Sequence, residues 1–363
     1  MNRPTSLYLD LVRPMAALFV LLSHVGFQNL SGGQLGFFES VGVQAVDVFF
    51  VLSGFVIAHV SATREKDIKT YFVSRAARIY SVAIPALLLT AALDDIGLRE
   101  NPTIYTGPFQ ALGPGLIVRC IFFINEQWNT HRFPGSDGPY WSLGFEVWYY
   151  IAFGGFIFSP RRWRWLIMTA ILVFIGPKVA LLFPLWLMGV ALYHLCKAPP
   201  AIRPSIGWTL FVGPVFVLIA YQLLPHPALQ PFTNVSFSLN RLWTFGQDYL
   251  VGFLFFLHLF GFTVISDAFS PWLEKHSRSI RWIAGATFSL YLTHLPIMHF
   301  LAAITPWLKT SPWMAVVLIV ATPPLCLAFA ELSERRKNIW RRAFFTGSPL
   351  FNRVLLSFRS RHL

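Results

Sequence analysis

The residue best suited to chemistry is a histidine inside an apolar stretch. His24 stands eleven residues after Arg13 in the run Leu7 to Phe27, whose only other charge is Asp10. On a helix that separation is a rise of about 16.5 Å and a rotation of three turns plus about 20°, so both side chains leave the same side, one near each end. An imidazole with an ordinary pKa of about 6.5 is suited to take a proton from a hydroxyl, and a guanidinium to hold an anion. Read singly, Arg13 snorkels to headgroups or pairs with Asp10, and His24 is a hydrogen-bonded interfacial residue. Their shared face is what favours a joint function.

Four other places put polar groups where apolar ones are expected. Glu146 falls in Trp141-Ser142-Leu143-Gly144-Phe145-Glu146, one to two turns into an apolar segment. A carboxylate there could orient an imidazole, bind sugar hydroxyls or bridge helices. Arg75 and Arg78, at i, i+3 beside an apolar run, could anchor that run at a membrane face or hold the phosphates of a nucleotide donor. Asp47, in Val46-Asp47-Val48-Phe49-Phe50, partners a cation or caps a helix end, while Ser53-Gly54 nearby reads as a helix-packing pair. His294, two residues before Pro296, reads as helix positioning or pocket lining.

Positioning these groups requires apolar helices. The chain has 363 residues, 55% hydrophobic and 12% charged, with mean hydropathy +0.56; a soluble domain carries about a quarter charged residues. Continuously apolar runs of bilayer-spanning length recur, which predicts an all-α polytopic membrane protein and excludes the alternating pattern of a barrel. Spans are expected near 7–27, 43–62, 77–95, 140–158, 164–176, 178–196, 207–224, 247–265, 282–304 and 312–333, about ten transmembrane helices, the fifth being short. The first run carries Asp10 and Arg13 and lacks a small-residue cleavage pattern, so it is expected to be retained.

With the N-terminus and C-terminus cytoplasmic, 22 of the 29 Lys and Arg fall on inner loops or the tail. The outer side keeps Arg99, Arg119, Arg132, Lys178, Arg241 and Lys309, a split that supports the orientation. The +13 net charge is therefore topological, and its dispersal over short loops argues against nucleic-acid binding. Residues 1–333 read as the transmembrane domain and 334–363 as a basic cytoplasmic tail. The long outer connection, 96–139, contains Leu116 to Ile124, too short to span and suited to a re-entrant piece or a lid. Cys120, Cys196 and Cys326 show neither pairing nor metal-ligand spacing, and no metal, P-loop, dinucleotide or Gly-x-Ser-x-Gly motif is present. The sequons at Asn29 and Asn234 are no more than chance gives.

In combination these segments resemble the acyltransferase-3 family of integral membrane acyltransferases. The match lies in Leu9-Asp10-x-x-Arg13 with His24, Asp47-Val48-Phe49-Phe50-Val51-Leu52-Ser53-Gly54-Phe55, the Arg75/Arg78 stretch, Trp141-Ser142-Leu143-x-x-Glu146, and Ser289-Leu290-Tyr291-Leu292-x-His294-x-Pro296. They run in family order across nearly the whole chain. Two departures stand out: Ser74-Arg75 replaces an Arg-Arg pair, and Glu334-Arg335-Arg336 lacks the family's closing proline.

The resemblance implies a ten-helix fold that takes an acyl group, often acetyl, from cytoplasmic acyl-CoA to a hydroxyl of a carbohydrate such as O-antigen, exopolysaccharide, peptidoglycan or a glycolipid. Acyl-CoA would be a co-substrate and not a tightly bound cofactor. It further implies His24 as the catalytic histidine and Arg13, Arg75 and Arg78 on the donor path. Glu146 is expected to fix the tautomer of His24 or to bind the acceptor, and Asp47, Trp141, Ser142 and His294 to line the acceptor side. A stand-alone form without an SGNH-type domain, in a bacterial inner membrane, is expected. Direct transfer and an acyl-histidine intermediate both stay open, and the rival activity is a transporter or flippase of a lipid-linked saccharide, which usually shows repeat symmetry.

Overall fold

The computed structural model describes residues 1–106, 109–197, 202–224, 239–308 and 311–346. The predicted outer cation Lys309, the Asn234 sequon and the tail beyond Thr346 lie outside the described residues. The helices in chain order are α1 Arg3–Val25, α2 Gln28–Ser31, α3 Glu39–Thr63, α4 Ile68–Glu100, α5 Pro114–Ile121, α6 Tyr140–Phe158, α7 Arg164–Ile175, α8 Pro177–Lys197, α9 Pro204–Leu223, α10 Leu239–Lys275, α11 Ser277–Ala284, α12 Thr287–Ile304, α13 Trp313–Leu332 and α14 Lys337–Thr346. Among the described residues there is no strand, only an isolated bridge between Gln110 and Gly135.

The protein is an all-helical, multi-pass membrane protein. Among the described residues, eight helices are long and apolar enough to cross a bilayer: α1, α3, α4, α8, α9, α10, α12 and α13. The other two predicted spans are present as α6 and α7. The 19 residues of α6 reach about 28 Å, but its aromatics and Glu146 lower its hydropathy. The 12 residues of α7 reach only about 18 Å, short of the apolar thickness of about 30 Å. The span predicted over 282–304 is broken at Gly285-Ala286 into α11 and α12, and α4 begins at Ile68, well before the predicted 77, so Arg75 and Arg78 lie inside a helix.

Local chemistry sets the helix starts. The Asn2 side chain accepts from Thr5 N at 3.0 Å and caps α1, and Asp67 accepts from Thr70 N at 2.8 Å and caps α4. Helices lie close where small residues allow: a Cβ on Gly54 would stand 1.9 Å from Trp186 O, and one on Gly189 1.9 Å from Val51 O, so α3 and α8 cross almost backbone to backbone. Gly54 is therefore a packing residue, as its sequence suggests.

At the centre, α1 packs against α3, α10, α11 and α12, while α12 also contacts α4 and α13. Burial separates core from periphery: 78% of the apolar window of α12 is enclosed by protein, against 11% of that of α9. The exposed Phe216, Val217 and Ile219 of α9 suit lipid. The two central helices, α1 and α12, carry the histidines and Arg13.

Candidate active site

The two central histidines meet. His24 Nδ1 lies 2.7 Å from His294 Nε2, with the rings stacked at 5.0 Å between centroids. His294 Nδ1 is 2.9 Å from Leu290 O, one turn back on α12. A carbonyl can only accept, so His294 carries its proton on Nδ1 and presents a lone pair at Nε2. His24 then donates from Nδ1 and keeps its own lone pair on Nε2, the nitrogen for which the described residues supply no partner. The chain Leu290 C=O, His294, His24 thus sets the tautomer a general base needs.

Two cavities converge on His24. One, about 1,100 Å³ with its mouth, is lined by Asn29, Thr106, Phe109, His131 and His299 under the loop that precedes α6. The other, about 1,140 Å³ with its mouth, is lined by Ser23, Phe37, Glu39 and Ser40 beside the start of α3. His24, Phe27, Val43, Pro139 and Trp141 belong to both.

The loop over the first cavity is pinned from below. Lys178 Nζ at the start of α8 lies 2.5 Å from Glu126 Oε2 and donates to Thr130 O at 2.7 Å, and His131 Nδ1 is 3.0 Å from the same carboxylate. Deeper, Asp94 accepts from Ser136 N and Oγ at 2.9 and 2.5 Å. The adjacent Asp137 is fully buried, and burial together with the Asp94 carboxylate pushes its pKa well above the usual carboxylate range.

A third cavity, about 750 Å³, lies toward the Arg13 end and is lined by Arg13, Arg78, Ser53, Glu146, Tyr150 and Ser142 among others. Ser53 Oγ donates to Glu146 at 2.5 Å, and Tyr150, one turn further along α6, donates to the same carboxylate. Arg13 and Arg78 are within electrostatic reach of Glu146 and of each other. Lys337, at the start of α14, acts on the same group of charges. The buried Glu334 accepts from Ser289 N at 2.9 Å and caps α12 beside them. Val46 and Tyr291 line both this cavity and the one beside α3, so they form the wall between them. Ser142 steadies that wall through a 2.7 Å bond to Tyr291 Oη.

The predicted residues therefore divide into groups. His24, Trp141 and His294 come together at the site between the first two cavities, and Arg13, Arg78 and Glu146 at the third. Glu146 is not brought to His24; the partner of the imidazole is His294. Arg75 lines none of these three cavities, because both its terminal nitrogens are held by Glu65 at 2.6 and 2.8 Å in a buried pair, over the Tyr71 ring. Asp47 also lines none of them and lies buried within electrostatic reach of Asp248 of α10. Ser142 belongs to the dividing wall. Ser53, expected only to pack, is a ligand of Glu146.

Sequence reasoning missed Tyr150, Tyr291, His299 and Lys337. Tyr150 was legible as the i+4 neighbour of Glu146, and Tyr291 as the i−3 neighbour of His294. Lys337 carried no signal apart from its place in a basic stretch.

The acyltransferase-3 family model, described as an acyltransferase domain, matches residues 6–331. Among curated proteins, the chain is 23% identical to the peptidoglycan O-acetyltransferase OatA of Listeria monocytogenes, over 90% of this chain and 54% of that protein. It is 28% identical to the exopolysaccharide production protein ExoZ of Rhizobium meliloti, over 39% of this chain and 43% of the relative. It is 30% identical to the acyltransferase MdmB of Streptomyces mycarofaciens, over 39% and 36%. The chain thus spans about half or less of the length of the relatives it matches. No solved structure matches it.

Proposed function

The chain belongs to the acyltransferase-3 family, and from that premise we propose that it moves an acyl group, acetyl first among candidates, from acyl-CoA to a hydroxyl of an envelope carbohydrate. The observation that carries this reading is the position of the His24–His294 pair, with a cation-lined cavity on one side of the dividing wall and two outer cavities on the other. The relatives named for peptidoglycan acetylation and exopolysaccharide production support a polysaccharide acceptor.

In this reading the nucleotide phosphates of acyl-CoA bind Arg13, Arg78 and Lys337, and the pantetheine arm rises the roughly 16.5 Å from Arg13 to His24. Glu146, Ser53 and Tyr150 hold the arginines in register. His24 Nε2 takes the proton of the acceptor hydroxyl as its oxygen attacks the thioester carbonyl. The C–S bond breaks, and the departing thiolate receives that proton from the imidazolium. His294 keeps Nδ1 of His24 engaged throughout, so Arg75 and Asp47 act from a distance, through the packing of α4 and α3.

The orientation that suits the chemistry places both termini in the cytoplasm of a bacterium, the acyl-CoA cavity facing inward and the histidines outward. Residues 1–333 then form the transferase domain, and 334–363 a cytoplasmic tail whose first helix, α14, packs on α4. The test is transfer of radiolabelled acetyl-CoA by purified protein into a cell-envelope glycan fraction. Label released from glycan by mild base and abolished by His24→Ala supports the reading. Label unaffected by the substitution removes His24 from the chemistry, and no transfer with any acyl-CoA turns the reading toward transport of a lipid-linked saccharide.

A further inference from the structure

We infer that the acceptor is a glycan chain that runs past His24 in both directions, so that acylation falls on interior sugars and not on chain ends. This rests on the acyl-transfer reading of the site and adds to it the form of the substrate.

A site for a terminal sugar needs one entrance and a closed end. His24 instead belongs to two adjoining cavities, and each is lined in part by residues exposed at the protein surface. In the first this is Thr106, with Phe109 in the same lining. In the second it is Phe37, 71% exposed, and Glu39. The walls they share, Phe27, Val43, Pro139 and Trp141, bring the two to one point at the imidazole.

The lining suits sugars along both limbs. Trp141, half-buried at the junction, offers an aromatic face on which a pyranose ring can lie, with Phe27 beside it. Beyond the junction, one limb supplies Asn29, His131 and Ser136 and the other Ser23, Glu39 and Ser40, short polar groups matched to hydroxyls. Asn29 is itself held by a 2.7 Å bond to Ile104 O, which presents its carbonyl group in a fixed orientation. Each limb thus combines an aromatic residue at its mouth, Phe109 or Phe37, with hydrogen-bonding groups inside. A lipid tail would meet the imidazoles of His131 and His299 in one limb and the Glu39 carboxylate in the other, which argues against a lipid carrier as the occupant.

The experiment uses the full-length protein in lipid nanodiscs with radiolabelled acetyl-CoA and an envelope glycan fraction separated by chain length. After transfer, the reducing ends are tagged and the position of each ester is read by tandem mass spectrometry. Esters on interior sugars, with KM falling at least about tenfold from two-sugar to eight-sugar acceptors, are expected. Phe37→Ala and Phe109→Ala should each raise KM for the long acceptor by about threefold, the worth of one aromatic contact, and so narrow the ratio between short and long. Esters confined to terminal sugars, or equal KM at all lengths, overturn the inference while leaving acyl transfer intact. A narrowed ratio in one variant alone also overturns it, since a single limb then holds the chain. Absence of any labelled glycan would instead remove the transferase reading on which the inference stands.

Discussion

Replacing His294 with leucine should slow transfer without weakening acyl-CoA binding. His24 Nδ1–H loses the acceptor it meets at 2.7 Å and becomes a donor with no partner, which costs about 1–3 kcal/mol. The imidazole can escape that cost by turning or by moving its proton to Nε2, and either change removes the base from the acceptor hydroxyl. At 1.36 kcal/mol per decade the loss in kcat is about 5- to 150-fold, mostly smaller than the 10²–10⁴ or so expected for removing the base itself in His24→Ala. KM for acyl-CoA should stay near that of the wild type, because the arginines lie beyond the wall. His294→Gln can accept from His24 through its carbonyl and donate to Leu290 O through its amide, so it should recover to within about tenfold of wild type. The decisive assay is initial-rate acetyl transfer for four forms: wild type, His24→Ala, His294→Leu and the double variant. A residue that acts through His24 adds nothing once His24 is gone, so the double variant should match His24→Ala. A double variant slower by the product of the two single effects, or a His294→Leu enzyme with unchanged kcat and raised KM, would refute the tautomer chain.

Arg78→Ala should raise KM for acetyl-CoA by about ten- to a hundredfold, the worth of a charge-assisted contact, whereas Arg75→Ala should act on stability. It leaves Glu65 buried without its partner at about 3–5 kcal/mol, read as a fall in the unfolding temperature in detergent. Gly54→Val should abolish folded protein on size-exclusion chromatography, since its Cβ would lie 1.9 Å from Trp186 O. Asp137 has a folded-state pKa above its unfolded value, so its contribution to stability is present below the ordinary carboxylate pKa and is lost as pH rises through the folded one. Asp137→Asn should therefore show a smaller drop in unfolding temperature between pH 5 and pH 8 than the wild type, and an equal drop would remove the buried carboxyl from the account.

The apolar, all-helical character of the chain was legible because apolar length is a local property that each segment displays alone. The Arg13–His24 spacing was legible for the same reason, since one helix carries both. Boundaries were less so: α4 gains Ile68 to Ala76 through the Asp67 cap, and polar residues in that stretch hide its helical continuation from a hydropathy window. What joins His24 to His294, 270 residues apart, or Arg75 to Glu65 across the turn between α3 and α4, is tertiary packing, which has no period. Glu65 stands among Arg64, Lys66 and Lys69 as one of two acids, and reads there as a solvated counter-charge. Glu146 was set beside His24 from its position in α6 alone, whereas its partners, Ser53 of α3 and Tyr150, are chosen by packing between helices.

The wall of Val46 and Tyr291 bears on something other than catalysis. A bilayer that stores a proton gradient cannot contain a continuous water path, and here two cavities approach one another inside the protein. The valine, and the tyrosine whose hydroxyl is engaged by Ser142, set packed side chains and not open space between them. A donor arm reaching from Arg13 to His24 would therefore have to displace one of these two side chains and would close the gap behind it.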